Sequence, residues 1–292
     1  MVAICFYFQV HQPLRLNKLR IFDINGNKKD YFNNDLNNGI FKKVSKNAYI
    51  PMNSLILDLI NKTNGNFKVA FSLSGLSLKQ MEEYHPETLI SFLKLKSTNN
   101  VEFLNETYHH SLSSLFSEEE FHQDILKHKE EFFRIFEKEP KIFRNTELLY
   151  GDIFDNIISS HGFEGVIIDG NPILKLGKSP NFIYGKENSN LKLICKNCEL
   201  SDDIAFRYGK SPKENLLKEI MIKINNLEEE GADLINFFMD YETFGEHFPK
   251  DSGIFDFFEE LILELNEKEF EFLTPSEILE KYNVKENINL EE

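Results

Sequence analysis

Short apolar runs of strand length recur along the chain, each bounded by polar or turn residues. There are seven, at Ala3 to Phe8, Val69 to Leu73, Val101 to Leu104, Ile142 to Arg144, Val166 to Ile168, Leu191 to Ile194 and Leu234 to Met239. Most carry apolar residues at consecutive positions, without alternation with polar ones. This is typical of strands buried on both faces in a parallel sheet, so the pattern predicts seven such strands.

Segments with helical periodicity and clear start signals separate many of these runs. Ser117 to Glu120 reads as a capping box ahead of an apolar stripe that begins at Phe121. Ser211 to Glu214 and Thr274 to Glu277 repeat the signal, with proline at the first helical position. We predict that a helix begins at each of the three places.

Strands that alternate with helices favour repeated βαβ units, and the short links leave little room for a second domain. We therefore predict one α/β domain over residues 1–292, closed as a barrel. An open doubly wound sheet is the competing topology, but the sequence has no glycine-rich phosphate loop to support it. The stretch from Leu16 to Ser45 is predicted as a long insertion after the first strand, either a surface excursion or a loop that shapes a cleft.

Charge and composition narrow the classes of partner. The 33 basic and 48 acidic side chains give a net charge of −15, which disfavours nucleic acid and anionic membranes as partners. No run of about 18 apolar residues is present, so we expect no membrane span. The N-terminal run lacks the features of a signal peptide, and the three cysteines suit a reducing compartment. We expect a cytoplasmic protein.

Candidate reactive side chains follow the predicted strands, where the loops of a parallel barrel build its active site. They are Gln9, His11 and Gln12 after the first strand, Asn105, Glu106, Tyr108, His109 and His110 after the third, Asn145 and Glu147 after the fourth, Ser201, Asp202, Asp203 and Arg207 after the sixth, and Asp240, Glu242, Glu246 and His247 after the seventh. The sequence therefore predicts a group of carboxylates and imidazoles at one end of the barrel.

Two of these carboxylates stand at the tips of predicted core strands. Glu147 ends the sequence Phe-Arg-Asn-Thr-Glu, and Asp240 directly follows the last apolar run. If the fold brings them together, one can act as a nucleophile and the other as a proton donor. The alternative is that each caps a helix or pairs with Arg144 or Arg207.

Several ordered motifs resemble those of glycoside hydrolase family 57, especially its archaeal α-amylase-like members. They are His11-Gln12-Pro13, Phe71-Ser72-Leu73-Ser74-Gly75, the run from Glu106 to Leu112, the run from Phe143 to Glu147, the run from Leu200 to Ile204, and the run from Met239 to His247. The similarity extends in the family's order from His11 to about Ser276. An ordered set of this kind is far more specific than any single motif.

The resemblance implies a (β/α)7 barrel, an incomplete TIM-like barrel, and a retaining mechanism on α-1,4-glucans without a cofactor or metal. It makes Glu147 the nucleophile and Asp240 the general acid/base, with carboxyl groups about 5 Å apart. Asp240 must then begin protonated, as an apolar strand end beside a second carboxylate favours. The candidates for holding substrate are His11, Glu242, His247, His109, His110, Asp203 and Arg207.

The chain also departs from the family pattern. Lys79-Gln80 stands where members often have Glu-Gln, and the sequence contains no tryptophan, so tyrosines such as Tyr108 or Tyr241 are the expected sugar platforms. The resemblance also implies that the family's C-terminal helical region is largely absent, so that a protein partner or self-association could complete the cleft.

Rival interpretations remain at this stage. A barrel deacetylase would bind a divalent metal through Asp and His, but no His-x3-His or His-Glu-x-x-His pair is present. Cys195 and Cys198 form a lone Cys-x-x-Cys, more typical of two incidental thiols than of a zinc site. A glucan-binding or regulatory barrel without catalysis is the non-enzyme alternative.

Overall fold

A computed structural model describes residues 2–20 and 31–290 as an α/β fold in which helices surround parallel sheets. The strands are β1 (Ala3–Val10), β2 (Val69–Leu73), β3 (Val101–Leu104), β4 (Ile142–Arg144), β5 (Gly165–Ile168), β6 (Ile183–Gly185), β7 (Lys192–Cys195), β8 (Leu234–Asp240), β9 (Glu271–Phe272) and β10 (Glu286–Asn287). The helices are α1 (Asn34–Val44), α2 (Ile50–Lys62), α3 (Gly75–Tyr84), α4 (Pro86–Lys96), α5 (Glu118–Phe136), α6 (Asp152–Ser160), α7 (Asn171–Lys175), α8 (Cys198–Ala205), α9 (Lys213–Glu229), α10 (Ile254–Glu267) and α11 (Pro275–Lys281).

The strands form two sheets. The first has the order β3-β2-β1-β8, with β9 also paired to the start of β1, and all its ladders are parallel. The second has the order β10-β6-β7-β5-β4, in which only the β6–β7 pair is antiparallel. The seven predicted strands correspond to β1 to β5, β7 and β8, whereas β6, β9 and β10 were not predicted.

The two sheets meet at two seams. At the first, the Asn105 backbone bridges to β4, with its N–H donating to the carbonyl of Ile142 at 3.0 Å. At the second, helix α8 stands between β7 and β8: the Asn197 N–H donates to Asn236 at 2.8 Å, and the Phe238 N–H donates to Ser201 Oγ at 3.0 Å. Across the described ranges the ladders form no closed sheet.

Both faces of the central strands are buried, which explains their unbroken apolar runs. On β1, Phe6 and Phe8 face the helices, and Phe6 stacks on Phe237 with ring centroids 4.5 Å apart. Cys5 and Tyr7 point the other way, into a core that both sheets share with Ile142 and Ile194, among others. This interior packing holds the carboxyl ends of the two sheets around one common region.

The predicted insertion after β1 is only partly irregular. Helix α1 and a π-helical turn at Ser45–Tyr49 occupy its second half, while residues 21–30 lie outside the described part of the chain. Lys43 of α1 bonds Glu246, in the loop that follows β8, at 2.6 Å. None of the helices in the described ranges combines the length and hydropathy that a bilayer crossing requires.

Candidate active site

The loop after β4 presents Glu147 in an unusual backbone conformation. Glu147 has φ of +57° and ψ of 21°, in the left-handed region that non-glycine residues seldom adopt. The loop is fixed on both sides: Asn145 Nδ2 donates to Ser114 Oγ at 3.1 Å, and the hydroxyls of Thr146 and Thr107 lie 2.8 Å apart. These contacts hold the turn while the Glu147 side chain stays 70% exposed.

Glu147 and Asp240 line the same cleft, of about 230 Å³, at the carboxyl ends of the strands. Its lining residues are His110, Arg144, Glu147, Leu148, Asp169, Lys196, Ala205, Phe206, Phe238, Met239, Asp240, Thr243 and His247. Asp240 ends β8 and, unlike the strand before it, is exposed. The structure thus brings together four of the predicted site residues, namely Glu147, Asp240, His110 and His247, although Asp240 is exposed instead of lying within the apolar strand end.

Beneath the cleft, Glu106 is a fully buried carboxylate at the end of β3. Its oxygens accept from Gln9 Nε2 at 3.2 Å, Arg144 Nη1 at 3.3 Å and His110 Nδ1 at 3.4 Å. Burial acts to raise the pKa of Glu106, but hydrogen bonding and charge from His110, with the charge of Arg144, outweigh it and hold that pKa below its usual value. Arg144 therefore pairs with Glu106, and not with Glu147 as the alternative interpretation supposed.

His11 lies beside the cleft without lining it. Its ring stacks on that of His110, with centroids 4.2 Å apart, and its Nδ1 is 2.8 Å from Ser74 Oγ. Burial, followed by the nearby charge of His110, lowers the pKa of His11 to about 4. His11 is consequently a neutral hydrogen-bonding ring at ordinary pH.

Glu242 is buried under the loop that follows β8. It accepts hydrogen bonds from the Tyr49 hydroxyl, at the end of the π-helical turn, and from Gln12 Nε2 at 3.3 Å. Burial, with a smaller contribution from the charge of Asp240, raises the pKa of Glu242 to about 7. Its contacts tie together three segments that surround the site, so its place is structural support beside the cleft.

Three other predicted site residues lie away from the cleft. His109 bonds Asp124 of α5, with its Nε2 3.2 Å from Lys127 Nζ. Asp203 is buried on α8 and pairs with Arg207 and, at 2.7 Å, with Lys223 of α9. These contacts fix α5 and α8 in position, and none of the three side chains lines the cleft.

Sequence reasoning missed several residues that line the cleft. Asp169 follows β5 and Lys196 follows β7, so the strand-end rule could have found both. The aromatic lining comes from Phe238 and from Phe206, which is 65% exposed at the end of α8. The expected tyrosine platforms lie elsewhere, since Tyr241 is fully buried in the core and Tyr108 is also outside the lining.

The family departure at Lys79 is remote from the cleft. Lys79 is a half-exposed side chain on α3 whose ammonium lies 3.7 Å from Glu83. Gln80 is buried, and its Nε2 donates to the backbone carbonyl of Gln12 at 2.6 Å. The glutamine of this pair therefore supports the His-Gln-Pro turn, whereas the lysine makes a surface ion pair.

Other candidate chemistry is sparse in the described ranges. No group of three or more His, Cys, Asp or Glu side chains there is arranged to hold a metal ion. Cys195 and Cys198 are free and buried, and burial is the main cause that raises the pKa of each thiol. Two carboxylates that share a cleft remain the arrangement with the clearest chemical use, which is acid/base or nucleophilic chemistry on a bond between them.

Comparisons with known proteins identify the family of this chain. The sequence pattern of glycosyl hydrolase family 57 matches residues 5–291. A protein of Methanocaldococcus jannaschii that carries the name "Putative alpha-amylase" is 38% identical over 295 residues, which cover all of this chain and 62% of that protein. The chain thus spans less than two thirds of this relative.

Solved structures of other proteins superpose on this chain. A 4-alpha-glucanotransferase from Thermococcus litoralis superposes with a TM-score of 0.78 at 18% identity, covering 99% of this chain and 42% of that one. A GH57 branching enzyme from Thermococcus kodakaraensis, solved with glucose, gives a TM-score of 0.76 at 14% identity, covering 100% of this chain and 73% of that one. At these identities the likeness is one of fold.

Proposed function

Since the chain belongs to glycosyl hydrolase family 57, we propose that it cleaves or transfers α-1,4-glucans by a retaining mechanism, as an α-amylase-like hydrolase or 4-α-glucanotransferase. The observation that carries the proposal is that Glu147 and Asp240 line one cleft, from opposite sheets. As part of the proposal, residues 1–292 form one catalytic domain. This domain is an incomplete TIM-like barrel, in which α8 lies between β7 and β8 where a closed barrel would have a ladder.

In the proposed mechanism Glu147 is the nucleophile and Asp240 the general acid/base. The Glu147 carboxylate attacks the anomeric carbon while Asp240 protonates the departing glycosidic oxygen. The resulting glycosyl-enzyme keeps the sugar on Glu147. Asp240 then removes a proton from the incoming hydroxyl, which attacks the anomeric carbon and releases Glu147, so that two displacements retain the anomeric configuration.

Hydrolysis and transfer differ only in the incoming hydroxyl. Water gives hydrolysis, and the hydroxyl of a second glucan chain gives transfer, from the same intermediate. The neutral ring of His11 and the exposed His247 are proposed to hold sugar hydroxyls beside the carboxylates. Phe206, exposed at the rim, offers a ring face on which the C–H groups of a sugar can pack.

The test is conversion of a short maltooligosaccharide by the wild type, Glu147→Gln and Asp240→Asn. We expect turnover by the wild type, unchanged by EDTA, and a loss of at least about 1,000-fold in kcat for Glu147→Gln, because the glutamine amide cannot act as the nucleophile. Products longer than the substrate would identify transfer, and shorter ones alone would identify hydrolysis.

The stereochemical outcome is a second check. NMR of the first product should show the α-anomer, in keeping with carboxyl groups about 5 Å apart. Initial release of the β-anomer would contradict the retaining mechanism. Glucan binding without turnover across a range of pH and temperature would instead support a binding protein, and loss of turnover with EDTA would support a metal-dependent hydrolase.

A further inference from the structure

A continuous line of polar side chains leads from the buried interior to the cleft, through Glu106, His110 and Glu147. The side chain of Glu106 has no exposed surface, and that of His110 has 13%. Nδ1 of His110 faces Glu106 at 3.4 Å, and Nε2 of the same ring faces Glu147 Oε1 at 3.7 Å. One imidazole therefore lies between a buried carboxylate and the proposed nucleophile.

The backbone keeps His110 and Glu147 in this relation at a conformational cost. His110 has φ of +53° and Glu147 has φ of +57°, both in the left-handed region. Non-glycine residues in this region are strained, and such strain persists where the surrounding contacts impose it. The stacking of His11 on the His110 ring is one such contact, and it leaves the ring little freedom to rotate.

A buried carboxylate is expensive to desolvate, and Glu106 is paired well enough to remain ionised. Its donors Gln9, Arg144 and His110 come from three different strand ends. Fold stability alone would be served as well by apolar side chains of similar volume. The feature that distinguishes Glu106 is its contact with a ring that reaches the cleft.

We propose that Glu106, acting through His110, positions the Glu147 carboxylate for attack on the anomeric carbon. Neither residue needs to contact substrate in this role, and the proposal rests on the function proposed above. Because a carboxylate only accepts hydrogen bonds, both ring nitrogens of His110 must carry protons in this role, with the Nδ1–H donating to Glu106 and the Nε2–H directed at Glu147. The 3.7 Å contact is longer than a hydrogen bond, and such contacts commonly shorten when substrate binds.

The kinetic test uses Glu106→Gln, His110→Gln and the double variant, with a maltooligosaccharide as substrate. We expect each single variant to lower kcat about 10- to 100-fold while KM stays within about threefold. Losses of this size are common when a residue that orients a functional side chain is removed. If Glu106 acts through His110, the double variant should be no slower than the His110→Gln variant.

The matched control is His122→Gln, which removes an imidazole of α5 that does not line the cleft and whose ring centroid lies 4.5 Å from that of His161. Its kcat should be that of the wild type. Thermal unfolding of each variant shows whether a lower kcat comes from a folding defect. If Glu106→Gln does not fold, His110→Gln still tests the proposal, because it leaves the Glu106 carboxylate in place. An unchanged kcat in His110→Gln, or additive losses in the double variant, would overturn the inference.

A spectroscopic measurement gives a readout that does not depend on turnover. With ring-labelled histidine, the nitrogen shifts of His110 should change in both Glu106→Gln and Glu147→Gln, whereas those of His85 should not. If the wild type cleaves maltooligosaccharide and the His110 signals ignore both substitutions, the inference fails while the proposed function stands. If the signals respond and no glucan is cleaved, the proposed function fails and the contact remains.

Discussion

At the scale of single residues, Glu242 is a buried carboxyl whose pKa is raised by its surroundings. Its folded-state pKa of about 7 lies above the usual 4.5, so the charged form is disfavoured in the folded protein. The unfolded chain therefore releases this proton at lower pH than the folded one. Stability from Glu242 is fully present below about pH 4.5 and is lost as the pH rises to about 7.

This gives a prediction for Glu242→Gln, whose side chain does not ionise. Between pH 4.5 and 7 the wild type should lose on the order of 3 kcal/mol relative to the variant, because the raised pKa is worth about 3.5 kcal/mol in full and the loss is not complete at pH 7. Urea unfolding at several pH values measures the difference between the two proteins. A difference in unfolding free energy that does not change with pH would contradict the raised pKa.

The residues of the cleft were predictable only in part. Glu147, Asp240, His110 and His247 follow strands and carry reactive groups, so the strand-end rule found them. The same rule selected Asp203 and His109, because it cannot tell which face of a helix or loop a side chain will occupy. Phe206 was missed for the opposite reason, since an exposed phenylalanine at a helix end has no signature in the sequence.

At the scale of elements, helix starts can be tested directly. Ser117 caps α5, and its hydroxyl oxygen accepts from the Glu120 N–H at 3.2 Å. We expect Ser117→Ala to lower the free energy of unfolding by about 1 kcal/mol, measured by urea unfolding. Ser211→Ala is the matched control, because α9 begins at Lys213 with Pro212 as its cap and no side-chain cap bond. An equal loss in both variants would remove the capping explanation.

The three predicted helix starts show what local sequence determines. The signals at Ser117 and Thr274 are confirmed, the latter as a complete capping box with proline in the first turn. The helix predicted from the signal at Ser211 begins one residue later than expected, because Pro212 has an extended backbone and is the cap instead of the first helical residue. A sequence motif therefore predicts that a helix begins nearby, but its first residue can differ by one or two positions.

Gly245 permits the closest approach of two elements near the site. It has φ of +107°, and a Cβ at this position would lie 2.0 Å from the backbone oxygen of Asn47. Gly245→Ala should therefore destabilise the protein by at least about 2 kcal/mol and displace the loop that carries His247. Gly39→Ala in α1, which has open space around it, should instead stabilise by about 0.5 kcal/mol. Thermal unfolding of the two variants measures both changes in stability.

At the scale of the whole molecule, the seam at α8 depends on Asn197. Its side chain accepts from the Leu200 N–H at 3.0 Å and donates to Asn181 at 3.0 Å, while its backbone reaches β8. We expect Asn197→Ala to lower the free energy of unfolding by about 2 kcal/mol and to speed amide exchange in α8. Asn215→Ala, on the exposed face of α9, should leave both unchanged. Slower or equal exchange in α8 would contradict this role of the seam.

The global arrangement was predicted less well than its parts. Seven parallel strands could be predicted because burial on both faces leaves runs of consecutive apolar residues, as in β1 and β5. Closure could not, since it depends on whether two distant strands share a ladder, and here α8 stands between β7 and β8. Pairing between distant strands depends on how the whole chain packs, and the local pattern of apolar and polar residues does not reveal it.

The position of α8 has a practical consequence for altering this protein. Ala205 and Phe206, at the end of that helix, line one side of the cleft, whereas Asp240 ends a strand held in a ladder and Glu147 lies in the loop that follows another such strand. Substitutions at the helix end can widen or narrow the groove while the strands keep their register. Laboratory selection for bulkier ligands in the cleft should therefore begin with variation at these two positions, leaving Glu147 and Asp240 unchanged.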